Sequence, residues 1–451
     1  MSDRFRSGSL RSFLVLGCLV TGAASGPAAA QQPLGDEFLV NTVTTNGQRA
    51  SAAAALPGGG FLVVWATETD GDQHGIAGRF VEPGGLLPDP EFAINTHTTG
   101  DQYRPAVATL AGGGFVVVWE SDGSPDTDSD GKSVLARVYD EAGAPLAGEF
   151  QVNTYTTGYQ YAPAVAALDG GGFVVTWWSY GFADSGYGSI LARRYDSSGA
   201  ELEDEAPVTD FDQVGEPVVA ALPQGGFVVV WRSEEFEGDD TSGASVQGRR
   251  FDFSGAPQGG PFLVNTETTG DQDQPAVASD SAGNLFVVWR SGATLGLDFP
   301  EVRGRRYDPE GGALGGDFRL NSYTTSAQES PAVASDPSGA FTVSWESVGS
   351  NGSDDSGKSV QARTYTPGGT PLGTELQVNT LTAGLQAQPA VAADGSGELL
   401  VSWTHGGIGQ PADSDVAVEA QRFAQPHVFS DGFERDATCR WSDSEGAAPC
   451  S

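Results

Sequence analysis

Pro163-Ala164-Val165-Ala166-Ala167-Leu168, then Gly170-Gly171-Gly172, then Phe173-Val174-Val175-Thr176-Trp177: this stretch decides the fold. Two short apolar runs joined by a glycine turn read as a pair of antiparallel strands. Outward from it, Gln160 stands ahead of the first run, and a polar loop follows Trp177. Beyond that loop comes a strand-like run with Arg193 and an aromatic, and each such unit is entered through an apolar run ending in Asn-Thr, here Val152-Asn153-Thr154. The same order recurs seven times, marked by Trp65, Trp119, Trp177, Trp231, Trp289, Trp345 and Trp403 at intervals of 54 to 58 residues. A period of this size with several strands per unit predicts an all-β fold, a seven-bladed β-propeller with four-stranded blades.

In the second unit the expected strands are Pro105 to Leu110, Phe115 to Ser121, Ser133 to Tyr139 and Glu149 to Asn153. Alternation puts Phe115, Val117 and Trp119 on one face, and Val116, Val118 and Glu120 on the other. A near-continuous valine run suits a blade packed on both sides, so the tryptophans are assigned to packing between blades. The strand Phe38 to Asn41 precedes any first strand, and the seventh unit has no fourth strand after Phe423. The ring is therefore expected to close by the N-terminal strand joining the last blade, which hides two open edges. Residues His427 to Ser430 are the competing closing strand. The segment Pro207-Val208-Thr209-Asp210 departs most from the pattern and predicts a local irregularity.

The chain has 451 residues and a formal net charge of −36, with 63 glycines and only two lysines, Lys132 and Lys358. That charge disfavours nucleic acid and anionic lipid as partners and favours a soluble monomer. Arg4, Arg6 and Arg11 precede the apolar stretch Phe13 to Val20, and Ala28-Ala29-Ala30 offers a cleavage site. Residues 1–30 therefore read as a signal peptide, with residues 35–424 as the propeller and residues 425–451 as a tail. A lipid anchor at Cys18, in a loose Val15-Leu16-Gly17-Cys18 lipobox, is the rival reading. The product is expected to be secreted or held at the cell surface, with no inserted span. Cys439 and Cys450, an even pair in an exported chain, are expected to form a disulfide within the tail.

Segments such as Gly148-Glu149-Phe150-Gln151-Val152-Asn153-Thr154, together with the runs quoted above, resemble a repeat of bacterial secreted and surface proteins, often large calcium-binding or adhesin-like chains. The resemblance spans nearly all of residues 35–424. It implies an extracellular, propeller-like protein and no defined activity. Val428-Phe429-Ser430-Asp431-Gly432-Phe433-Glu434 separately resembles a short C-terminal element of exported proteobacterial proteins.

The loops after each Trp differ between units, whereas the glycine turns on the other face repeat, so recognition is expected on the variable face. The sharpest of these loops is acidic. Asp126, Asp128 and Asp130, followed by Gly131, have a spacing suited to Ca²⁺, with Asp122 as a further ligand. Arg137 stands where an EF-hand would place its Glu, and Val134 supplies no side-chain ligand. Asp239-Asp240 and Asn351, Asp354 and Asp355 are weaker relatives that read as solvated loops.

Gln48, Gln102, Gln160, Gln213, Gln272, Gln328 and Gln386 recur before each first strand. The need to satisfy backbone in the blade crossings assigns their amides to structure, and a circle of amides at the channel mouth is the other reading. Arg79, Arg137, Arg193, Arg249, Arg305 and Arg363 are expected to pair with acidic neighbours. The four histidines (His74, His97, His405 and His427) show no metal-ligand spacing, and no nucleophile elbow or phosphate loop is present. The residues thus point to an exported binding module for a glycan or a protein, with Ca²⁺ expected to organise the acidic loop. An extracellular polysaccharide hydrolase or lyase with carboxylates at the channel mouth is the alternative, and a structural envelope component is the third reading.

Overall fold

The computed structural model describes residues 31–44, 46–68, 73–124, 128, 131–182, 188–209, 214–234, 243–292, 299–350, 352–354, 357–406 and 416–424. Residues 1–30, the tail with Cys439 and Cys450, and the alternative closing strand His427 to Ser430 lie outside them. Seven antiparallel sheets follow one another around a ring, each running outward from its first strand. In the second blade the strands are Gln102–Thr109, Phe115–Asp122, Lys132–Tyr139 and Phe150–Gln151. Among the described residues no helix is long and apolar enough to cross a membrane.

Packing follows the expected alternation. Phe115, Val117 and Trp119 meet Leu62, Val64 and Ala66 of the first blade. Val116 and Val118 meet Phe173, Val175 and Trp177 of the third. All seven repeat tryptophans are buried, each contributing at most about 5 kcal/mol by area.

The ring closes as predicted. Phe38 and Leu39 pair with Ala420 and Glu419 of the last blade. Gln32 and Pro33 pair with Phe423 and Ala424 on the same edge, so the clasp begins three residues before the expected boundary at 35. The closing interface joins Phe61, Val63 and Trp65 to Ala392, Leu400 and Val418, like any other blade contact.

Polar repeats hold neighbouring elements together. Asn153 Oδ1 accepts from Val134 N at 2.9 Å, and Asn41 does the same for Val418 N at 2.8 Å across the closure. Where the motif is irregular, Thr209 Oγ1 takes over from Asn and accepts from Ile190 N at 3.1 Å. At residues 207–209 one hydroxyl thus stands in for the amide, while Asp210 and the connection after it lie outside the described residues. A visible departure appears at the Pro223–Gly225 turn, where Gln224 takes φ 69°.

The arginines are structural, but their partners correct the expectation. Arg137 Nη1 donates to Ile94 O of the preceding blade at 2.8 Å, and Arg249 and Arg305 reach Val208 O and Val264 O in the same way. Backbone carbonyls of the short outer strand need donors more than acids need cations; of the six, Arg193 also meets an acid, Glu201, at 2.7 Å. Tyr139 Oη donates to the same Ile94 carbonyl, and burial pushes its phenol up to about 12.

The Gln residues also resolve. Gln102 Nε2 donates to Thr99 O at 3.3 Å in the crossing, while its Oε1 accepts from Trp119 Nε1 at 3.0 Å. Trp65, Trp289 and Trp345 bond Gln48, Gln272 and Gln328 at 2.9 Å. Gln160 and Gln386 donate to the crossing carbonyls of Thr157 and Ala383, but their Oε1 atoms do not bond the indoles of Trp177 and Trp403. Gln213 lies outside the described residues.

Candidate functional site

The loops after each Trp and the blade crossings lie on one face, as do the start of every first strand and the end of every second. Each first strand is interrupted just inside that face, as between Tyr103 and Ala106. The residue before Pro105 sits there in a bulge, because proline offers no N–H to the ladder. The recurring frame thus leaves three variable side chains per blade near the channel mouth: two after the Gln and one after the Trp.

In the third blade two of these positions are aromatic, Tyr161 and Trp178, and the remaining one is Ala162. Tyr161 pairs in register with Trp178, and their rings stack with centroids 5.2 Å apart. Tyr159 stacks on Tyr161 at 5.4 Å, and Tyr180 lies 6.0 Å from Trp178. Tyr159 and Tyr180 are 46% and 44% exposed, and Tyr180 N donates to Tyr159 O at 2.9 Å, tying the two outer members together. Tyr155 packs edge-on against Phe182 at 5.6 Å and donates its hydroxyl to Gly181 O. A β-carbon on Gly188 would collide with the Trp178 indole, so this glycine makes room for the row. Lys132 Nζ of the second blade lies 5.8 Å from the Tyr161 ring centre.

The other blades carry charge at the same level. Glu120 is buried and meets Lys132 at 3.3 Å and Arg104 at 3.4 Å. Its Oε1 also accepts from Ala162 N at 2.8 Å, across the blade boundary. The sixth blade repeats this design, with Glu346 meeting Lys358 at 2.5 Å and accepting from Gln388 N at 2.6 Å. Both lysines of the chain therefore neutralise a buried glutamate of this kind. Glu216 accepts from Gln274 N at 2.7 Å. It is open to the channel yet ringed by protein; this desolvation, with nearby Asp273, raises its carboxyl above the usual range against the pull of Arg232 and Arg104.

Of the expected Ca²⁺ ligands, Asp122 and Asp128 are among the described residues. Asp128 is buried, and its Oδ2 accepts from Asn153 Nδ2 at 3.0 Å. Asp122 faces Lys132 at 3.7 Å and accepts from Asp101 N. Asp126 and Asp130 lie outside the described residues, as do Asp239, Asp240, Asn351 and Asp355. Asp354 repeats the Asp128 arrangement by bonding Asn379 Nδ2 at 2.8 Å. Among the described residues no group of three metal-ligating side chains forms.

Sequence reasoning missed the aromatic row. Its signal was a second Trp directly after the recurring one, with Tyr at 159, 161 and 180; of these places the second unit shares the one at 161, as Tyr103.

No family model matches the chain, and no curated relative does. Among solved structures it resembles a protein of unknown function from Dyadobacter fermentans, with 10% identity, a TM-score of 0.51, and coverage of 87% of this chain and 99% of that one. It is also similar to a Penicillium chrysogenum α-L-arabinanase complexed with arabinobiose, at 16% identity and TM-score 0.44, covering 70% of this chain and 92% of that one. For the NanB sialidase from Streptococcus pneumoniae the values are 9% and 0.46, with 87% and 71% covered. Identities this low show the propeller fold alone.

Proposed function

We propose that this protein is an exported, monomeric binding module that holds a glycan on its loop face. The observation that carries this reading is the row Tyr159, Tyr161, Trp178 and Tyr180, partly exposed on a face where most other blades carry charge. Tyr and Trp combine a flat apolar surface with a polar edge, which suits the C–H face and hydroxyl rim of a sugar ring. A narrow row set among ion pairs fits a linear chain better than the broad apolar centre of a protein interface. The mouth carboxylates favour binding over hydrolysis, since Glu120, Glu216 and Glu346 each hold a backbone N–H of the next blade.

A glycan array followed by titration calorimetry tests this reading. Trp178→Ala and Tyr180→Ala should each weaken binding at least about tenfold. Release of reducing ends or unsaturated sugars would favour the hydrolase or lyase, and capture of a protein with no glycan binding would favour a protein partner.

A further inference from the structure

Ala50, Arg104, Ala162, Glu216, Gln274, Ser330 and Gln388, one from each blade, take φ between 46° and 55°. Glycine would adopt this left-handed backbone without steric cost. The chain has 63 glycines, yet none stands at these seven places. Each side chain is therefore kept around the axis against the strain of a left-handed backbone.

Between the first, second, sixth and seventh blades, four of these residues and the ones that follow them line a recess of about 290 Å³. Its walls are Ala50, Ser51, Ser330, Gln388 and the prolines 105, 331 and 389, and among the described residues Arg104 is the only charged one in the lining. The Arg104 side chain is 58% exposed, and its contact with Glu120 is long, at 3.4 Å. Glu120 already has Lys132 and Ala162 N, so the guanidinium is not needed to neutralise it. A forked donor at a recess whose other lining residues are uncharged matches the two oxygens of a carboxylate, with Glu216 also in electrostatic reach of the guanidinium. The overall charge of −36 repels a polyanion from a distance, which favours a single acidic group over many. Arg104 also lies in the blade next to the aromatic row, whose Tyr161 directly precedes the ring residue Ala162.

We propose that the recess receives a carboxylate through Arg104, and that the ligand is a neutral sugar chain tipped by a uronic acid. The sugar-chain part rests on the glycan reading above; the carboxylate part does not. Calorimetry would compare xylo-oligosaccharides tipped with glucuronic acid, the same oligosaccharides with that carboxyl methyl-esterified, and free glucuronate. The acid-tipped chain should bind at least about tenfold more tightly than its ester. Arg104→Gln should erase that difference, while Trp178→Ala weakens both chains equally. Equal binding of acid and ester, or a preference that survives Arg104→Gln, overturns the proposal. Glucuronate binding that is lost in Arg104→Gln, with no oligosaccharide bound by any variant, would leave the recess standing and remove the glycan reading.

Discussion

The second and third blades share one frame and carry opposite chemistry on it. Both have the buried Trp and the inter-blade Arg, and the outer strand is held by Asn153 in one and by Thr209 in the other. Glu120, Asp122 and Lys132 in one stand where Trp178, Tyr180 and Gly188 stand in the other. The exchange is matched in size and charge. A lysine neutralises the buried glutamate in one blade, and its replacement by glycine admits an indole in the next. Framework positions answer to the neighbouring blade, so they recur; mouth positions answer mainly to one another, so they are free to diverge.

Breaking the polar version should have the largest effect. Lys132→Met leaves Glu120 buried without its ammonium and should cost about 3 kcal/mol in denaturant unfolding, with Glu120→Gln added in the same chain recovering more than half. An unchanged midpoint for Lys132→Met would show that the pair is a solvated surface contact. Gly188→Ala tests the aromatic version. It should cost about 1–3 kcal/mol by overpacking against Trp178 and reduce glycan binding, whereas Lys132→Ala creates no such clash.

Asp128→Ala removes the carboxylate on Asn153 and should cost about 1–2 kcal/mol equally in Ca²⁺ and in chelator. A loss confined to Ca²⁺-containing buffer would mark Asp128 as a metal ligand. The smallest effect extends the comparison to the closing blade, where His405 follows the variable position. Its hydrogen bond to Glu419, at 3.1 Å, raises the imidazole above its ordinary value, against burial that lowers it. That stabilisation is complete below about pH 6.5, the unfolded value, and is lost as pH rises through the raised folded value. The melting difference between wild type and His405→Gln should therefore be largest near about pH 5.5 and vanish by about pH 9. A difference independent of pH would mean that His405 acts by packing alone.

The frame was legible because it is local and repeated. Trp119 and Val117 declare their face by alternation, and Phe38 declares the clasp because the last unit lacks an outer strand. Partner identity was less legible: Arg137 looks like half of an ion pair, and only the approach of the Ile94 carbonyl shows what it serves. Asp128 has the spacing of a metal ligand, yet its carboxylate turns to Asn153, a residue 25 positions away.

By itself, the sequence determined the period, the strand faces, the seven blades and the closure, since these follow from apolar alternation and turn chemistry within each unit. Only the tertiary structure decided which variable residues meet. Tyr161 and Trp178 become neighbours through strand register, and Ala50, Arg104, Ser330 and Gln388, spread over most of the chain, line one recess only when the ring has closed. Such contacts carry no local pattern, because what brings them together is the burial of other residues.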